Sequence, residues 1–368
     1  MDRPTLDALS PGRIGAEGSG PIRIKLLGKF RPGMDGGGWF DKFPAGQGTT
    51  WGNCHFTFDR HCRDYDWLVV YDDLPSLAGE RYTLWEEPLA CPRTQTLLIT
   101  TEPSTVKVYG TGFIRQFGWV LSSQEPWIVR HPRQIYRQPA LIWFYANTHP
   151  RGTYDAISRH VPSDKTRTIS TVCSSKQQRH TLHGRRYDFI ADLKRRIPEM
   201  DIFGHGVRFI VDKADALDPY RYHVAVENFH GLHHWTEKLA DPFLGACMPV
   251  YYGCPNAEEY FPPESFLRID IADPAAAAEI IRRAIRDEAY EKNLPAILES
   301  RRRVVENYGP IATISRLVNE RHQPGLAATP GESILSRHRW RRRSLFNGLS
   351  FAFEKLSVAA RHRLSRRS

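Results

Sequence analysis

The sequence predicts an α/β protein with two Rossmann-like domains that face a cleft, followed by a basic amphipathic tail. Short apolar runs alternate with helix-compatible stretches, which is typical of parallel sheets covered by helices on both faces. The alternation stops at a polar stretch, residues 162–167, and then starts again. Residues 337–368 contain nine Arg and one Lys but a single acidic residue, so this segment differs in character from the rest of the chain.

These shifts divide the chain into four segments. Residues 1–20 lack the apolar stretch that a signal peptide needs, and we expect a flexible leader there. Residues 21–162 and 163–325 are expected to form the two Rossmann-like domains, and residues 326–368 the tail. The sequence has no uninterrupted apolar run long enough to span a bilayer, so we expect no transmembrane helix.

The expected elements follow the periodicity of the apolar residues. Asp273 and Pro274 have the residue types favoured at the N-cap and first position of a helix. The predicted strands of the first domain are residues 22–27, 54–58, 67–71, 96–100 and 141–145. Those of the second domain are 168–172, 200–203, 224–226 and 248–252, and its predicted helices are 186–196, 274–286 and 294–308.

Charge and cysteine content argue against two classes of site. The net charge is +10, but residues 337–368 contribute +9 of it, so the globular part is nearly neutral. The basic balance therefore does not predict a nucleic-acid partner. The six cysteines show no CxxC spacing, and we interpret them as reduced thiols rather than zinc ligands.

One segment, residues 222–253, combines the elements of a ligand site. Its first strand ends in Glu227 and Asn228, and open α/β sheets place their ligands at such strand ends. Thr236 has the residue type of an N-cap, with Glu237 and Lys238 in the first helical turn. A lysine there is disfavoured by the helix dipole unless an anion binds beside it. The pattern therefore predicts an anion site.

The same segment closely resembles the donor-binding motif of the α-1,3/1,4-fucosyltransferases, glycosyltransferase family 10, bacterial type. The matching residues are Glu227-Asn228, Thr236-Glu237-Lys238 and the strand with its closing glycine, residues 249–253. Residues 260–270 resemble the family's Phe-x-Pro-x-x-Ser-Phe-Ile stretch. The resemblance covers about residues 165–310.

The resemblance implies a GT-B architecture and a specific reaction. The expected enzyme transfers L-fucose from GDP-fucose, with inversion, to a hydroxyl of a GlcNAc- or glucose-containing glycan. It would act in surface polysaccharide or lipopolysaccharide synthesis, in the cytoplasm at the inner face of the membrane. Two alternatives remain open: a GT-B transferase that uses another nucleotide sugar, and a non-catalytic, membrane-associated glycan-binding module.

The resemblance also implies roles for individual residues at the donor. Lys238 and an arginine at the start of helix 186–196 would bind the diphosphate, and Glu237 would accept the ribose hydroxyls. Arg186 is our choice of arginine, with Arg185 and Lys176 as alternatives. The residues assigned to the donor are Arg186, Glu227, Asn228, His234, Glu237 and Lys238.

Several of these residues have a simpler interpretation. Glu227 can be a structural carboxylate bonded to backbone amides, Asn228 can cap the turn, and Glu237 can be an ordinary acid of a first helical turn. Phe229 stands where the family has Ser or Thr, and His234 where it often has Tyr.

The general base is expected from the first domain. Glu102 follows the strand 96–100 and is our candidate, the alternative being a plain loop carboxylate. Asp72 and Asp73 are adjacent, so on extended backbone they point apart and are more suited to capping than to chelation. We therefore predict that no metal and no other cofactor is required. Zinc binding by His230, His233 and His234 is the alternative to simple turn histidines.

The tail predicts a membrane contact. Leu345, Leu349, Phe353 and Leu356 share one helical face with Ala352, beside a run of arginines that starts at residue 337. A basic amphipathic helix of this kind suits an anionic membrane surface, which we expect residues 337–368 to bind. A solvated disordered tail and RNA binding are the alternatives.

Overall fold

The computed structural model describes residues 20–29, 37–77, 79–147, 151–173, 183–204 and 206–365. Most of the predicted leader (residues 1–19) and Lys176 lie outside these residues. The described strands, in chain order, are β1 (Ile22–Gly28), β2 (Thr50–Trp51), β3 (Cys54–Thr57), β4 (Trp67–Tyr71), β5 (Glu86–Pro88), β6 (Thr96–Ile99), β7 (Trp119–Ser122), β8 (Gln134–Tyr136), β9 (Arg167–Val172), β10 (Asp201–Phe203), β11 (Tyr220–Val226), β12 (Met248–Tyr252), β13 (Leu267–Arg268) and β14 (Ser333–Leu335). The α-helices are α1 (Thr111–Ile114), α2 (Tyr154–Arg159), α3 (His183–Arg196), α4 (Glu237–Leu244), α5 (Pro274–Arg286), α6 (Ala289–Arg303), α7 (Pro310–Asn319), α8 (Arg337–Arg342) and α9 (Leu345–Ser365).

The chain divides into two compact units. Unit 1 comprises Met1–Ala140 and Pro310–Ser368, and unit 2 is the continuous stretch Leu141–Gly309. Both units contain a largely parallel sheet, so the predicted α/β class with two Rossmann-like domains is confirmed. Two such units are the components of the GT-B architecture.

The division falls at other places than the sequence predicted. The chain enters unit 2 after Ala140 rather than near residue 162, and the predicted strand 141–145 is wrong. Trp143 and Tyr145 are buried in the core of unit 2 without pairing to a strand, whereas Phe144 is about half exposed. The Phe144 N–H instead donates to Asp241 Oδ1 at 3.0 Å, so this segment anchors to α4 rather than to a sheet.

The main sheet of unit 1 has seven described strands in the order β2-β3-β1-β4-β6-β7-β8, parallel except for β2. The predicted strands at 22–27, 54–58, 67–71 and 96–100 are confirmed. Because β1 continues to β3 on one side and to β4 on the other, the strand order reverses between β1 and β4. At such a switch point an open α/β sheet leaves a crevice outside the carboxyl ends of its strands.

The sheet of unit 2, among the residues described, has five parallel strands in the order β10-β9-β11-β12-β13. Its switch point lies between β9 and β11. Helix α5 has the predicted bounds, and Asp273 caps it by accepting from the N–H groups of Ala275 and Ala276. The helix predicted at 294–308 begins at Ala289 and ends in a π-helical turn, Val304–Tyr308.

The segment after Pro310 packs on unit 1 and is not a separate tail. The amide of Asn319 in α7 lies 3.3 Å from the Cys54 sulfur, and β14 pairs antiparallel with β5. The predicted amphipathic helix is confirmed as α9. None of the helices in the described part of the chain is long and apolar enough to cross a membrane.

Candidate functional site

A cavity opens at the switch point of unit 2, outside the carboxyl ends of β9 and β11. Its walls include Thr171 to Cys173 from the end of β9 and the last residues of β11. Three cationic side chains, Arg186, Lys213 and Lys238, line the same cavity. They come from α3, the connection between β10 and β11, and α4, so the fold gathers cations from three separate elements at one place.

Glu227 fixes the start of α4. The carboxylate is only 1% exposed and accepts from the Thr236 N–H at 2.8 Å and the Thr236 hydroxyl at 2.7 Å. Thr236 in turn caps α4, because its oxygen accepts from the Lys238 N–H. Burial raises the pKa of Glu227 above its ordinary value. These contacts support the structural interpretation of Glu227, which acts on the cavity through Thr236.

Gly253 provides the space for this carboxylate. A Cβ atom at this position would lie 2.3 Å from Cγ of Glu227 and 2.6 Å from the Tyr251 hydroxyl. Real Cβ atoms do not approach so closely, and both neighbours are fully buried. The glycine that ends the motif is therefore required by packing against Glu227.

Glu237 and Lys238 form an ion pair at the first turn of α4. The Lys238 ammonium lies 2.6 Å from Glu237 Oε1 and 3.9 Å from Glu227 Oε2. Burial alone would raise the pKa of Glu237, but the charges of Lys238 and Lys213 outweigh it and lower that pKa. Glu237 is therefore an ionised hydrogen-bond acceptor at neutral pH.

The structure separates the two candidate arginines. Arg185 is exposed, whereas Arg186 is 8% exposed and donates through Nη1 to Asn228 Oδ1 at 2.9 Å. The Arg186 Nε–H is buried and has no acceptor among the described residues. An unmatched buried donor is unfavourable by about 1–3 kcal/mol, so this atom points to an anion that would complete its bonding.

Lys213 was missed by the sequence analysis. It begins a 3-10 turn, Lys213–Ala216, that Asp212 caps by accepting from the Ala214 N–H. Its ammonium lies 2.6 Å from Asp241 Oδ2, a fully buried carboxylate on α4. The local sequence signal is only a lysine between two acids ahead of a buried strand, and the motif begins at residue 222, so nothing local linked the two.

The histidines of the motif have separate partners. His234 is buried edge-on against Phe229, with ring centroids 5.3 Å apart, and burial lowers its pKa to about 4. His233 pairs with the Tyr260 hydroxyl at 2.7 Å, and His230 lies against Tyr252. Among the described residues no group of three His, Cys, Asp or Glu side chains gathers in the way a metal ion needs.

In unit 1, Asp72 and Asp73 follow β4 and turn to different partners. Asp72 has a φ of +72° and accepts from the Lys107 ammonium and the Tyr109 hydroxyl. Asp73 is buried and accepts from the Arg337 N–H of α8 at 3.0 Å. The two carboxylates thus hold different segments of unit 1.

Glu102 lies where the sequence placed it, directly after β6 at the carboxyl end of the sheet. Its side chain is exposed, and its carbonyl accepts from the Gln124 amide at 2.7 Å. Gln124 itself follows β7, the next strand of the sheet. The backbone of Glu102 is therefore tied to the sheet while its carboxylate faces solvent.

One family model matches this chain within unit 2. Residues 162–293 match the model for the "Glycosyltransferase family 10 (fucosyltransferase) C-term" domain. The α-(1,3)-fucosyltransferase FucT of Helicobacter pylori is 30% identical over 60 residues, which is 16% of this chain and 13% of that protein. The chain thus matches about an eighth of the length of this relative.

Solved structures of glycosyltransferases are similar at lower identity. The structure of an α1,3-fucosyltransferase with GDP-fucose gives a TM-score of 0.47 at 15% identity, covering 77% of this chain and 84% of the other. TarM gives a TM-score of 0.42 at 8% identity, covering 71% and 51%. The segment that the family model matches, residues 162–293, contains Arg186, Asn228, Glu237 and Lys238. Residues 162–293 of this chain therefore match the C-terminal domain of glycosyltransferase family 10, the fucosyltransferase family.

Proposed function

We propose that this protein is an inverting fucosyltransferase that moves L-fucose from GDP-fucose to a hydroxyl of a GlcNAc- or glucose-containing glycan. The observation that carries the proposal is the cation-lined cavity at the switch point of unit 2, which lies inside the family 10 segment. We further propose that the glycan belongs to a surface polysaccharide or lipopolysaccharide under assembly. The family resemblance is the support for the donor and for the acceptor class.

The donor side stabilises the leaving group. As the glycosidic bond breaks, negative charge develops on GDP, and Lys238, Arg186 and the N-terminus of α4 are arranged to meet it. The unmatched Nε–H of Arg186 would find its acceptor in a phosphate oxygen. Glu237 would hold the ribose hydroxyls. These groups supply the positive charge that a metal ion would otherwise provide, and we propose that no metal or cofactor is required.

The acceptor side supplies the base. We propose that Glu102 takes the proton of the acceptor hydroxyl. The oxygen of that hydroxyl then attacks the anomeric carbon of fucose from the face opposite GDP. One bond forms as the other breaks, which inverts the configuration and leaves the proton on Glu102. The exposed carboxylate at the carboxyl end of β6 supports this assignment.

GDP binding tests the donor site. Lys238→Ala should raise the calorimetric Kd for GDP by roughly 10- to 100-fold, because a hydrogen bond to a charged group contributes about 1.5–3 kcal/mol. Lys292→Ala, an exposed lysine of α6, is the matched control and should leave the Kd unchanged. Equal affinities of the two variants would contradict the role of Lys238. Tighter binding of UDP than of GDP by the wild type would favour another nucleotide sugar.

We also propose that the protein binds the cytoplasmic face of the inner membrane through α9. One face of this helix carries large apolar side chains that are 70–89% exposed: Leu345, Phe346, Leu349, Phe353, Leu356 and Leu364. Exposed basic residues flank the face at Arg342, Arg343, Lys355, Arg361 and Arg363. This combination of apolar area and positive charge is complementary to an anionic lipid surface.

Vesicle co-sedimentation tests the membrane contact. Replacing Leu349, Phe353 and Leu356 by Ser should abolish binding to vesicles that contain anionic lipid. The wild type should bind them less at high salt, because salt screens the basic residues. Ala359→Ser is the control on the same helix. If the triple variant binds as well as wild type, the apolar face of α9 is not the attachment site.

A further inference from the structure

We propose that α9 is also part of the acceptor-side machinery. Its inward face clamps the loop of residues 101–110, which carries Glu102, and His362 acts as a positioning residue for that loop. The inference rests on the proposed function, because it takes Glu102 as the base. It assigns the same helix two roles on two faces: one apolar and exposed, the other bonded to the loop.

On its sheet side, the loop is fastened by a small hydrogen-bond network. The Tyr109 hydroxyl accepts from the Thr101 N–H at 2.9 Å and donates to Asp72 at 2.6 Å. The Thr101 hydroxyl also donates to Asp72, and the Gln124 amide holds the carbonyl of Glu102. Asp72 has a positive φ, a conformation that non-glycine residues keep only where neighbours enforce it.

On its outer side, the loop is held by α9 at Ser104. The Ser104 hydroxyl lies 3.0 Å from Glu125 Oε2 and 2.9 Å from His362 Nε2. The hydroxyl has one hydrogen, and a carboxylate can only accept, so this hydrogen goes to Glu125. His362 must then carry its proton on Nε2 and donate to Ser104. Trp127 flanks the histidine ring, with centroids 5.6 Å apart, and restricts its orientation.

A second attachment holds the far end of the loop. Gly110 has a φ of +91°, and a Cβ there would lie 2.9 Å from the ring of Phe351. Beside it, Glu354 Oε2 accepts from the Thr111 N–H at 2.8 Å, at the start of α1. Phe351, Glu354 and His362 lie at spacings that place them on one face of α9. This face is therefore the one bonded to the loop.

The clamp holds the backbone that follows Glu102, at Ser104 and Thr111, while the sheet-side network holds Thr101 before it. Without the contacts of α9, the loop would lose its bond to His362 at Ser104 and its support by Glu354 at Thr111, and the carboxylate would sample a wider set of positions. Misplacing a catalytic group by about 1 Å can lower the rate by roughly 100-fold. The donor residues belong to unit 2, so loss of the clamp should lower kcat and leave the KM for GDP-fucose unchanged.

The test compares His362→Ala with His362→Gln in the full-length protein. Glutamine carries an amide N–H near the position of Nε2 and can still donate to Ser104, whereas alanine cannot. We expect His362→Ala to lower kcat on a soluble acceptor by roughly tenfold or more. It should also speed amide hydrogen exchange in residues 101–110. His362→Gln should restore both, and Ala359→Ser, exposed on the same helix, should change neither.

Ser104→Ala removes the same bond from the other side and should reproduce the effect of His362→Ala. Unchanged kcat and unchanged exchange in both alanine variants would overturn the proposal. So would an equal loss of kcat in His362→Ala and His362→Gln, since that result would not depend on the hydrogen bond. If wild type transfers no sugar, the proposed function fails. The exchange measurement then decides the clamp alone: faster exchange in His362→Ala supports it, and unchanged exchange overturns it.

Discussion

The two units share one plan but use charge in opposite ways at the carboxyl ends of their sheets. In unit 2 the buried carboxylate of Glu227 accepts a hydrogen bond from the backbone at the start of α4, while Arg186 and Lys238 line a cavity. In unit 1 the cations Lys107 and Arg337 contact the aspartates that follow β4. The same sheet edge thus becomes a cation-lined cavity in one unit and an acid-bearing edge in the other. Side chains, not the fold, decide which chemistry each edge performs.

The sharpest test of this comparison is the acid of unit 1. Glu102→Gln should lower kcat by about 10²- to 10⁴-fold, the usual contribution of a general base. GDP affinity, a property of unit 2, should stay the same. Rates on a soluble acceptor and calorimetry with GDP give the two values, with Glu264→Gln as an exposed control. A variant with near-normal turnover would move the base to another acid.

The pH dependence of stability should report on unit 2 through His234. Burial lowers the pKa of His234 to about 4, whereas in the unfolded chain it is near 6.5. Its contribution to stability is therefore present above about pH 6.5 and is lost as pH falls towards 4, by up to about 1.4 kcal/mol per pH unit. Urea unfolding across this range should show a shallower slope for His234→Gln. Identical slopes would mean that His234 titrates normally in the folded protein.

Packing around the carboxylate of unit 2 gives the next effect. Gly253→Ala should lower the free energy of unfolding by about 1–3 kcal/mol, because the added methyl collides with the buried Glu227 and Tyr251. Gly184→Ala, where a Cβ meets nothing within 4 Å, is the control. Urea denaturation measures both. Gly253→Ala with wild-type stability would show that Glu227 can shift without loss.

A smaller effect is expected at the lysine that the sequence did not reveal. Lys213→Ala should raise the Kd for GDP by about tenfold, since it removes one of three cations at the cavity and leaves Asp241 uncompensated. The single substitution leaves the buried carboxylate of Asp241 without its lysine partner. The double variant Lys213→Ala/Asp241→Asn removes that unpaired charge and is therefore the matched control. If the pair of substitutions restores GDP affinity, Lys213 serves only to balance Asp241.

The smallest expected effect is that of removing divalent metal ions with EDTA on the rate of sugar transfer. Turnover should be unchanged by EDTA, because the proposed charge balance on GDP is met by protein cations alone. The assay is the transfer rate with and without chelator, after dialysis. A complete loss that only Mn²⁺ restores would show that the cations of unit 2 are insufficient and would return Asp72 and Asp73 to consideration.

Sequence reasoning reached the parts of the site that are close together along the chain. Glu227, Thr236 and Lys238 lie within one strand-turn-helix segment, so cap chemistry and strand-end placement were enough to bring them together. Lys213 and the contact between Asp73 and Arg337 were not predictable. The latter joins residues 264 positions apart, and no local pattern encodes such a pairing.

The error at residues 141–145 has a related cause. An apolar run indicates burial, but neither the unit in which it is buried nor the presence of a neighbouring strand to pair with. Trp143 and Tyr145 are buried in the core of unit 2 by side-chain packing alone, without strand pairing.

The insertion of unit 2 within unit 1 sets an order of events during synthesis. The described strands of unit 2 lie between Arg167 and Arg268, whereas Ser333 of β14 donates to Glu86 of β5 across 247 residues. Chains emerge from the ribosome amino end first, and pairings over long separations form slowly. We therefore expect a nascent chain to acquire its nucleotide pocket first. The edge of unit 1 and the clamp on Glu102 would form only after residue 362 has emerged, so that binding of the donor precedes the ability to transfer it.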